Sequence, residues 1–268
     1  MHINIENQDC VLGMKSLPGE SVDVVITSPP YNIGIAYNSY DDKGTREDYL
    51  NWTRDWTHGV NRVLKDDGSF FINIGASPKD PLLPHQIALQ LSEDFVLQNT
   101  FHWIKAVSVE TREGDTVSAG HFKPINSKRY VTDCHEYVFH FTKHGNVPLD
   151  RLAIGVPYAD KSNIARWGHT DGKDKRCRGN TWFVPYETIK SRSKDRPHPA
   201  TFPAKLAEHC IRIHGEPEQS CVMDPFLGIG HSLRAAQACK ASQFIGFEID
   251  PDYFKEAQTL THSQHAST

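Results

Sequence analysis

Short apolar runs alternate along the chain with longer stretches in which apolar residues recur at helical spacing. Such short runs predict buried strands, and they occur at residues 3–7, 21–28, 69–75, 99–109, 135–143, 220–226 and 242–250. Helical spacing occurs at residues 45–64, 81–91, 203–213 and 232–240, and a short helix is predicted to begin at Asp250-Pro251. Strands that alternate with helices predict a parallel α/β sheet, whose ligands bind at the carboxyl ends of the strands.

The stretch 45–64 has the clearest helical pattern. Thr45 can cap its amino end, and Asp48 follows three residues later. The apolar face that follows consists of Tyr49, Trp52, Trp56, Val60 and Val63. Asp66-Asp67-Gly68 is predicted to end this helix.

Composition narrows the class of protein. Hydrophobic residues make up 38% and charged residues 23% of the 268-residue chain, which is typical of soluble globular proteins. No apolar run approaches the roughly 18 residues of a membrane span, and the amino-terminal "MHINIENQDC" does not resemble a secretory signal. The six cysteines form no CxxC pair, which favours a reduced, cytoplasmic setting. The fifteen histidines lack ligand spacing, so no metal site is predicted.

Charge is distributed unevenly along the chain. The net charge is −4, yet residues 161–196 hold ten Lys or Arg against four acidic residues. Trp167, Trp182 and Phe183 are interleaved with these charges, a pattern that favours a nucleic-acid surface over the alternative of a solvated loop. The candidates for contacts to a nucleic acid are Arg166, Lys173, Lys175, Arg176, Arg178 and Arg192.

The run "DVVITSPPYN", residues 23–32, predicts a strand that stops at two prolines. Pro29 and Pro30 can continue neither a strand ladder nor a helix interior, so they form a rigid rim with exposed carbonyls. Ser28 adds a hydroxyl acceptor, and Tyr31 adds a flat aromatic face. These groups suit a planar ring that stacks on Tyr31 and donates its amino hydrogens to Ser28 and the Pro29 carbonyl. An ordinary Pro-rich turn would explain the prolines but not the flanking Ser and Tyr.

Two later strand ends also carry candidate ligand-binding residues. The run "DPFLGIGHS", residues 224–232, predicts a turn in which Gly228 and Gly230 let backbone N–H groups approach a ligand. It lacks the third glycine of the dinucleotide fingerprint and the GK[ST] of a P-loop. Glu248 ends the next strand, where an acidic side chain can hold a ribose diol. Asp250 can cap the final helix.

These strand ends resemble the motifs of a known family. Ser28-Pro29-Pro30-Tyr31, within "TSPPY", resembles the catalytic motif of DNA methyltransferases that modify exocyclic amino groups. Asp224-Pro225-Phe226-x-Gly228-x-Gly230 resembles the S-adenosylmethionine motif of that family, and the catalytic motif comes first, as in the permuted beta-type order. "RPHPATFPAKLAEHCI" and "NTWFVP" resemble the segments that precede the cofactor strand there. The similarity covers nearly the whole chain except about residues 108–132 and 145–179.

The resemblance implies a Rossmann-like methyltransferase fold, a mostly parallel twisted sheet with helices on both faces, plus an irregular target-recognition region. Residues 1–143 are expected to form the catalytic half, 144–196 the target-recognition region and 197–268 the cofactor-binding half. The first strand is expected beside the last one. The implied catalytic residues are Ser28, Pro29, Pro30 and Tyr31. The implied cofactor-binding residues are Asp9, Cys10, Ser28, Thr201, Phe202, Pro203, Asp224, Pro225, Phe226, Gly228, Gly230, Ser232, Glu248 and Ile249, with Asp9 and Cys10 on the adenine side.

The activity that the resemblance implies is methyl transfer from S-adenosylmethionine to an amino group of a flipped-out base in double-stranded DNA. In this family, Ser at the first motif position favours cytosine N4, and adenine N6 is the alternative. Methylation of a cytosine ring carbon needs a Cys nucleophile, whereas Ser28 holds that position here. A non-catalytic DNA-reading partner subunit would not need the intact motifs, and methyltransferases of RNA or protein amides usually resemble Asn-Pro-Pro-Tyr.

The same resemblance gives expectations about partners. Double-stranded DNA is the expected substrate, and a cognate restriction endonuclease is a further expected partner. No membrane partner is expected. The expected state is a monomer or weak homodimer in the bacterial cytoplasm, associated with the nucleoid in use.

Overall fold

The computed structural model describes residues 1–120, 122, 125–166, 168–170, 172–185 and 201–261. The strands in these residues are β1 (His2–Glu6), β2 (Val22–Thr27), β3 (Leu64–Ile74), β4 (Val96–Ile104), β5 (Ala106–Glu110), β6 (Thr116–Gly120), β7 (His135–Thr142), β8 (Thr181–Phe183), β9 (Cys221–Asp224) and β10 (Gln243–Phe247). Eight of them form one sheet in the order β1-β10-β9-β2-β3-β7-β4-β8. Neighbouring strands are parallel except where β7 meets β3 and β4. The predicted α/β class with a mostly parallel sheet is confirmed.

Helices cover both faces of this sheet. The α-helices of the described residues are α1 (Cys10–Lys15), α2 (Arg46–Val63), α3 (Leu83–Leu91), α4 (Ser162–Arg166), α5 (Ala204–His214), α6 (His231–Cys239) and α7 (Pro251–Thr259). Buried residues of α1, α2 and α3 belong to one hydrophobic cluster, and those of α5, α6 and α7 belong to another. Along β3, Phe70 and Ile72 lie in the first cluster and Phe71 in the second. Because successive strand residues point to opposite faces, the two helical layers lie on opposite sides.

Helix α2 has the predicted cap and the predicted buried face. Thr45 Oγ1 accepts a hydrogen bond from the Asp48 amide at 3.1 Å, which satisfies one of the unpaired donors of the first turn. Tyr49, Trp56 and Val60 are buried against the sheet. Burial of apolar surface stabilises this packing by about 25 cal/mol for each Å² removed from water.

Two features of the prediction are wrong. Residues 66–68 do not end α2, because the helix ends at Val63 and β3 begins at Leu64; they lie within β3, where its pairing with β2 shifts register. The predicted strand 99–109 is divided at Lys105, and β5 pairs with β6 in a separate hairpin whose polar side chains are exposed. In its described residues, the region predicted to be irregular contains the short elements α4 and β8, and β8 pairs with β4 through the fully buried Trp182.

The connections place a crevice between β9 and β2. The chain leaves β9 through α6 on one face of the sheet and leaves β2 through α2 on the other. Such a reversal of strand order opens a ligand site at the carboxyl ends of the strands. The first strand also lies where it was predicted, since β1 pairs in parallel with β10 and ends with Glu6 opposite Phe247. Asp9 therefore reaches the same edge of the sheet.

Candidate active site

A cavity occupies this crevice and holds most of the predicted site residues. The predicted residues that line it are Asp9, Cys10, Ser28, Pro29, Pro30, Tyr31, Thr201, Phe202, Pro225, Phe226, Gly228, Ser232, Glu248 and Ile249. They follow β1, β2, β9 and β10 or precede α5. The catalytic and cofactor motifs, about 200 residues apart in sequence, thus share one cavity.

The proline rim at the end of β2 is fixed by hydrogen bonds from both directions. The Tyr49 hydroxyl of α2 donates to the Pro30 carbonyl at 2.8 Å. The Ser28 Oγ and Tyr31 hydroxyl oxygens are 2.7 Å apart. Because two hydroxyls and one carbonyl are held in this way, the rim presents a rigid polar edge to the cavity.

Two cavity residues that sequence reasoning missed extend this polar edge. Asn73, near the end of β3, donates from Nδ2 to the Tyr31 hydroxyl at 2.7 Å and to Glu136 Oε2 at 2.8 Å. Glu136 belongs to β7 and also accepts from the Tyr31 hydroxyl at 3.1 Å. Lys105 Nζ lies 3.1 Å from Glu136 Oε1. Asn73 Oδ1 is buried and has no hydrogen-bond partner within the described part of the chain.

Asp224 was predicted to bind the cofactor, but it lies beneath the cavity and does not line it. Its carboxylate accepts from Thr27 Oγ1 at 2.7 Å, Ser232 Oγ at 2.5 Å and the Phe226 amide at 3.0 Å. Burial raises the pKa of Asp224 to about 6, against the effect of the Ser232 and Thr27 hydrogen bonds. The hydrogen bonds of Asp224 therefore hold the turn after β9 in place, and its oxygens are occupied by these bonds.

Glu248 lies in the cavity wall and is almost fully buried, with 9% of its surface exposed. Its Oε2 accepts from the Gly228 amide at 2.7 Å, and its Oε1 accepts from the Asp250 amide at 2.8 Å. The Gly228 N–H is therefore committed to Glu248, contrary to the expectation that it would face a ligand. Burial raises the pKa of Glu248 to about 7. A carboxylate has about four acceptor positions, so Glu248 retains capacity for two hydroxyl donors.

Gly230 and Pro203 were also predicted to bind the cofactor, and neither lines the cavity. Gly230 precedes α6 with a φ of +89°, and a Cβ added there would lie 2.8 Å from Leu260 Cδ1. Position 230 therefore requires a glycine, both because of its backbone conformation and because of the close packing around it. Pro203 is the residue before the first turn of α5. The neighbouring Phe202 contributes to the site through its backbone, because its carbonyl accepts from His231 Nδ1 at 2.7 Å.

A loop between β2 and α2 closes another side of the cavity, and none of its residues was predicted to belong to the site. Five of its residues line the wall: Ile33, Ile35, Tyr37, Ser39 and Tyr40. The buried Asp42 carboxylate accepts from the four consecutive amides of residues 32–35 and so fixes the start of this loop. Ser39 Oγ donates to Asp250 Oδ2 at 2.6 Å, which ties the loop to the end of β10. Asp250 also caps α7, as predicted.

Asp9 and Cys10 lie at the β1 end of the cavity. Asp9 caps α1 by accepting from the Val11 and Leu12 amides through Oδ1. Cys10 is buried, and burial together with the nearby Asp9 carboxylate raises the pKa of its thiol well above the usual range. Since the thiolate is the nucleophilic form, Cys10 is not suited to covalent catalysis.

The predicted DNA-binding residues that the structure describes lie apart from the cavity lining. Lys173, Lys175, Arg176 and Arg166 are exposed, whereas Arg178 donates from Nε to the Ile154 carbonyl at 2.8 Å. Arg192 lies outside the described residues. Within the described residues, no group of three or more His, Cys, Asp or Glu could hold a metal ion. No helix among them is both long and apolar enough to cross a membrane.

Comparison with known proteins identifies the family. The family model described as "DNA methylase", N6_N4_Mtase, matches residues 22–259, and the chain belongs to this family. A curated relative, the type II methyltransferase M.ScaI of Streptomyces caespitosus, is 29% identical over 253 residues, which cover 90% of this chain and 75% of that protein. The predicted family of DNA amino-methyltransferases is thereby confirmed.

Solved structures share the fold. The PvuII DNA methyltransferase (cytosine-N4-specific) superposes with a TM-score of 0.72 at 21% identity, covering all of this chain and 89% of that one. A DNA modification methylase of Thermus thermophilus, solved in complex with S-adenosyl-L-methionine, superposes with a TM-score of 0.66 at 22% identity, covering all of this chain and 96% of that one. The predicted methyltransferase fold is confirmed.

Proposed function

We propose that the protein transfers the methyl group of S-adenosyl-L-methionine to the exocyclic N4 amino group of a flipped-out cytosine in double-stranded DNA. One observation carries the proposal: a single cavity joins the acceptor-lined Ser28–Tyr31 rim to the buried Glu248 carboxylate. The rim suits an amino-bearing ring, and Glu248 suits a ribose. The chain order, with the rim before the cofactor turn, supports the permuted beta-type arrangement.

The cavity residues fit S-adenosylmethionine as the methyl donor. Glu248 retains acceptor capacity for the two ribose hydroxyls after its bonds to the Gly228 and Asp250 amides. Asp9, which follows β1, is proposed to serve the adenine side, and Phe226 supplies an aromatic wall. When bound, this cofactor supplies a methyl group on a sulfonium that is already a strong electrophile. Structures of the same fold that hold this cofactor support the assignment.

The rim residues have the task of aligning the amino nitrogen and exposing its lone pair. Hydrogen bonds from the amino group to Ser28 Oγ and the Pro29 carbonyl favour a pyramidal, nucleophilic nitrogen. Alignment of this kind supplies much of the acceleration of a direct displacement. Flipping the base out of the duplex costs a few kcal/mol, and stacking on Tyr31 would return roughly 1–3 kcal/mol. No covalent intermediate on the protein is required, in agreement with a Ser at the rim and a neutral thiol at Cys10.

Cytosine is proposed as the base because Ser28 opens the motif. Since the family modifies both N6 and N4 amino groups, adenine N6 is the second candidate. Residues 144–196 are proposed to carry the target-recognition region. The exposed Lys173, Lys175 and Arg176 are proposed to contact phosphates there.

A methyl-transfer assay with separated substrate pools tests this proposal. The full-length protein is incubated with S-adenosylmethionine carrying a tritiated methyl group and with bulk DNA, bulk RNA or total protein. We expect incorporation into DNA that DNase treatment abolishes and RNase leaves unchanged. Label confined to RNA or protein would overturn the choice of substrate. No label in any pool would indicate a DNA-reading subunit without catalysis.

A further inference from the structure

The rim holds the target amino group but supplies no strong base. After its nitrogen bonds to a methyl group, an exocyclic amino group carries one proton too many. Ser28 Oγ and the Pro29 carbonyl can accept hydrogen bonds, yet neither keeps a proton near neutral pH. The proton therefore needs a route from the rim to a carboxylate or to water.

We infer that Glu136 is the positioning residue that receives this proton, through the Tyr31 and Ser28 hydroxyls. The inference rests on the proposed function, since it concerns the proton released by amino methylation. Neither the sequence motifs nor the comparisons assign a role to Glu136.

The hydrogen-bonded chain is continuous. Ser28 Oγ lies 2.7 Å from the Tyr31 hydroxyl oxygen, and that hydroxyl donates to Glu136 Oε2 at 3.1 Å. Asn73 Nδ2 donates to both Tyr31 and Glu136, at 2.7 and 2.8 Å, and so fixes the positions of these two groups relative to each other. All four residues line the cavity. Each link is within the distance over which protons pass between hydrogen-bonded groups.

Glu136 is paired with a lysine at the edge of the cavity. Lys105 Nζ, just after β4, lies 3.1 Å from Oε1, and the side chains of Lys105 and Glu136 are only 17% and 12% exposed. Partial burial strengthens this attraction relative to a surface pair. The other groups that bear on Glu136 are the Tyr31 hydroxyl after β2, the Asn73 amide of β3 and the adjacent His135, whose pKa is lowered mainly by burial.

Other carboxylates at the cavity are less suited to this role. Asp224 lies beneath the turn and is bonded to Thr27, Ser232 and the Phe226 amide. Glu248 bonds the Gly228 and Asp250 amides on the cofactor side. Among the described residues, Glu136 is the carboxylate bonded to the Ser28–Tyr31 pair.

The proton transfer balances without an added reactant. As the amino nitrogen forms its bond to the methyl carbon, its N–H bond breaks and the proton passes to Ser28 Oγ. Ser28 releases its own proton to the Tyr31 oxygen, and Tyr31 releases its proton to Glu136 Oε2. The rim returns to its starting state, Glu136 becomes a neutral acid, and its proton then leaves to solvent.

Rate measurements on Glu136→Gln test the inference. Single-turnover methyl transfer to DNA should fall about 10²-fold, the lower range for a general base, with Kd values for DNA and S-adenosylmethionine within twofold of the wild type. Glu256→Gln, an exposed change on α7, is the matched control and should transfer at the wild-type rate. Glu136→Asp retains a carboxylate and should recover part of the lost rate.

Two further readouts separate proton transfer from a merely structural role. Tyr31→Phe interrupts the relay. Adding it to Glu136→Gln should therefore lower the methyl-transfer rate no further, whereas the two fold losses in rate would multiply if the residues acted independently. Tyr31→Phe alone keeps the aromatic ring but removes the hydroxyl that links Ser28 to Glu136, so it should slow single-turnover methyl transfer about as much as Glu136→Gln does. Should Glu136→Gln fold poorly, the Tyr31→Phe rate still decides the question.

The outcomes distinguish the two proposals. A wild-type protein that methylates DNA, combined with a Glu136→Gln rate within threefold of it, would overturn the relay and leave the proposed function intact. A wild-type single-turnover rate in Tyr31→Phe would also overturn the relay. A wild-type protein that methylates no DNA would overturn the proposed function itself.

Discussion

Replacing Glu248 by Gln tests how the cavity holds the ribose of the methyl donor. The two carboxylate oxygens accept from the Gly228 and Asp250 amides at 2.7 and 2.8 Å and keep further lone pairs for hydroxyl donors. Glutamine preserves the size of the side chain, but its NH₂ group faces one of these two N–H donors. Losing a charge-assisted hydrogen bond costs about 1.5–3 kcal/mol. The affinity for S-adenosylmethionine should therefore fall roughly 10- to 150-fold.

The same carboxyl group predicts a pH dependence of binding. Burial raises the pKa of Glu248 from 4.5 to about 7, and hydroxyl donors bind the ionised form better. Wild-type affinity should weaken as the pH falls below about 7, by up to about tenfold per pH unit, and the Gln variant should lack this dependence. Stability changes in the opposite sense. The folded state keeps this proton to higher pH than the unfolded chain, so the stabilisation by this group is present below pH 4.5 and is lost as the pH rises to about 7.

Isothermal titration calorimetry at pH 6 and pH 8.5 measures both effects. Glu256→Gln, which removes an exposed carboxylate from α7, serves as the control and should bind like the wild type. Equal affinities of wild type and Glu248→Gln at pH 8.5 would refute the ribose assignment. A wild-type affinity that does not change between the two pH values would refute the role given to the ionised carboxylate.

The remaining predictions concern the rim, the basic region and the fold. Ser28→Ala should slow single-turnover methyl transfer by about 10²–10³, since one aligned hydrogen bond in a desolvated site is worth roughly 2–4 kcal/mol; Kd values for DNA and cofactor should not change, and a wild-type rate would remove Ser28 from catalysis. Lys175→Glu with Arg176→Glu should flatten the salt dependence of DNA binding, whose log–log slope is about 0.9 per neutralised phosphate; an unchanged slope would place these residues away from DNA. Gly230→Ala should lower the free energy of unfolding in urea by about 1–3 kcal/mol, because φ is +89° and an added Cβ would lie 2.8 Å from a leucine side chain. Gly114 has the same φ, but an added Cβ would meet no atom within 4 Å, so Gly114→Ala measures the contribution of backbone conformation alone. An equal loss of unfolding free energy in both variants would show that packing at Gly230 contributes nothing.

The sequence predicted the parts of the site that follow single strands. Ser28 to Tyr31 come directly after β2, and Glu248 comes directly after β10. In a parallel sheet, a residue that directly follows a strand lies at the carboxyl edge of the sheet, because the carboxyl ends of all such strands meet there. The position of β1 beside β10, which the family resemblance implied, is also confirmed.

One of the missed residues, Glu136, depends on an antiparallel pairing that the sequence does not reveal. Glu136 reaches Tyr31 because β7 runs antiparallel to β3, with Asn73 opposite Val138. The position of Glu136 depends on the register of β7 against β3, because Glu136 does not directly follow a strand end. A shift of this register by one residue would turn Glu136 to the other face of the sheet. Polar residues within the apolar runs of β3 and β7 were the available signal.

Other residues were predicted at the site and support it from outside the cavity. Asp224 uses its oxygens within the turn, and Gly230 permits α6 to pack near Leu260. A motif residue that binds a ligand and one that shapes the loop around it look alike in sequence. Burial and hydrogen-bond partners separate them, and both depend on the folded chain.

Mass spectrometry of nucleosides from methylated DNA tests the central claim most directly. Bulk DNA is incubated with S-adenosylmethionine and either wild-type protein or the Ser28→Ala variant, then digested to nucleosides. We expect N4-methyldeoxycytidine from the wild type and about 10²–10³ less of it from the variant over the same early time course. N6-methyldeoxyadenosine as the sole product would contradict the assignment of cytosine, and equal product from both proteins would contradict amino-group transfer at the Ser28 rim.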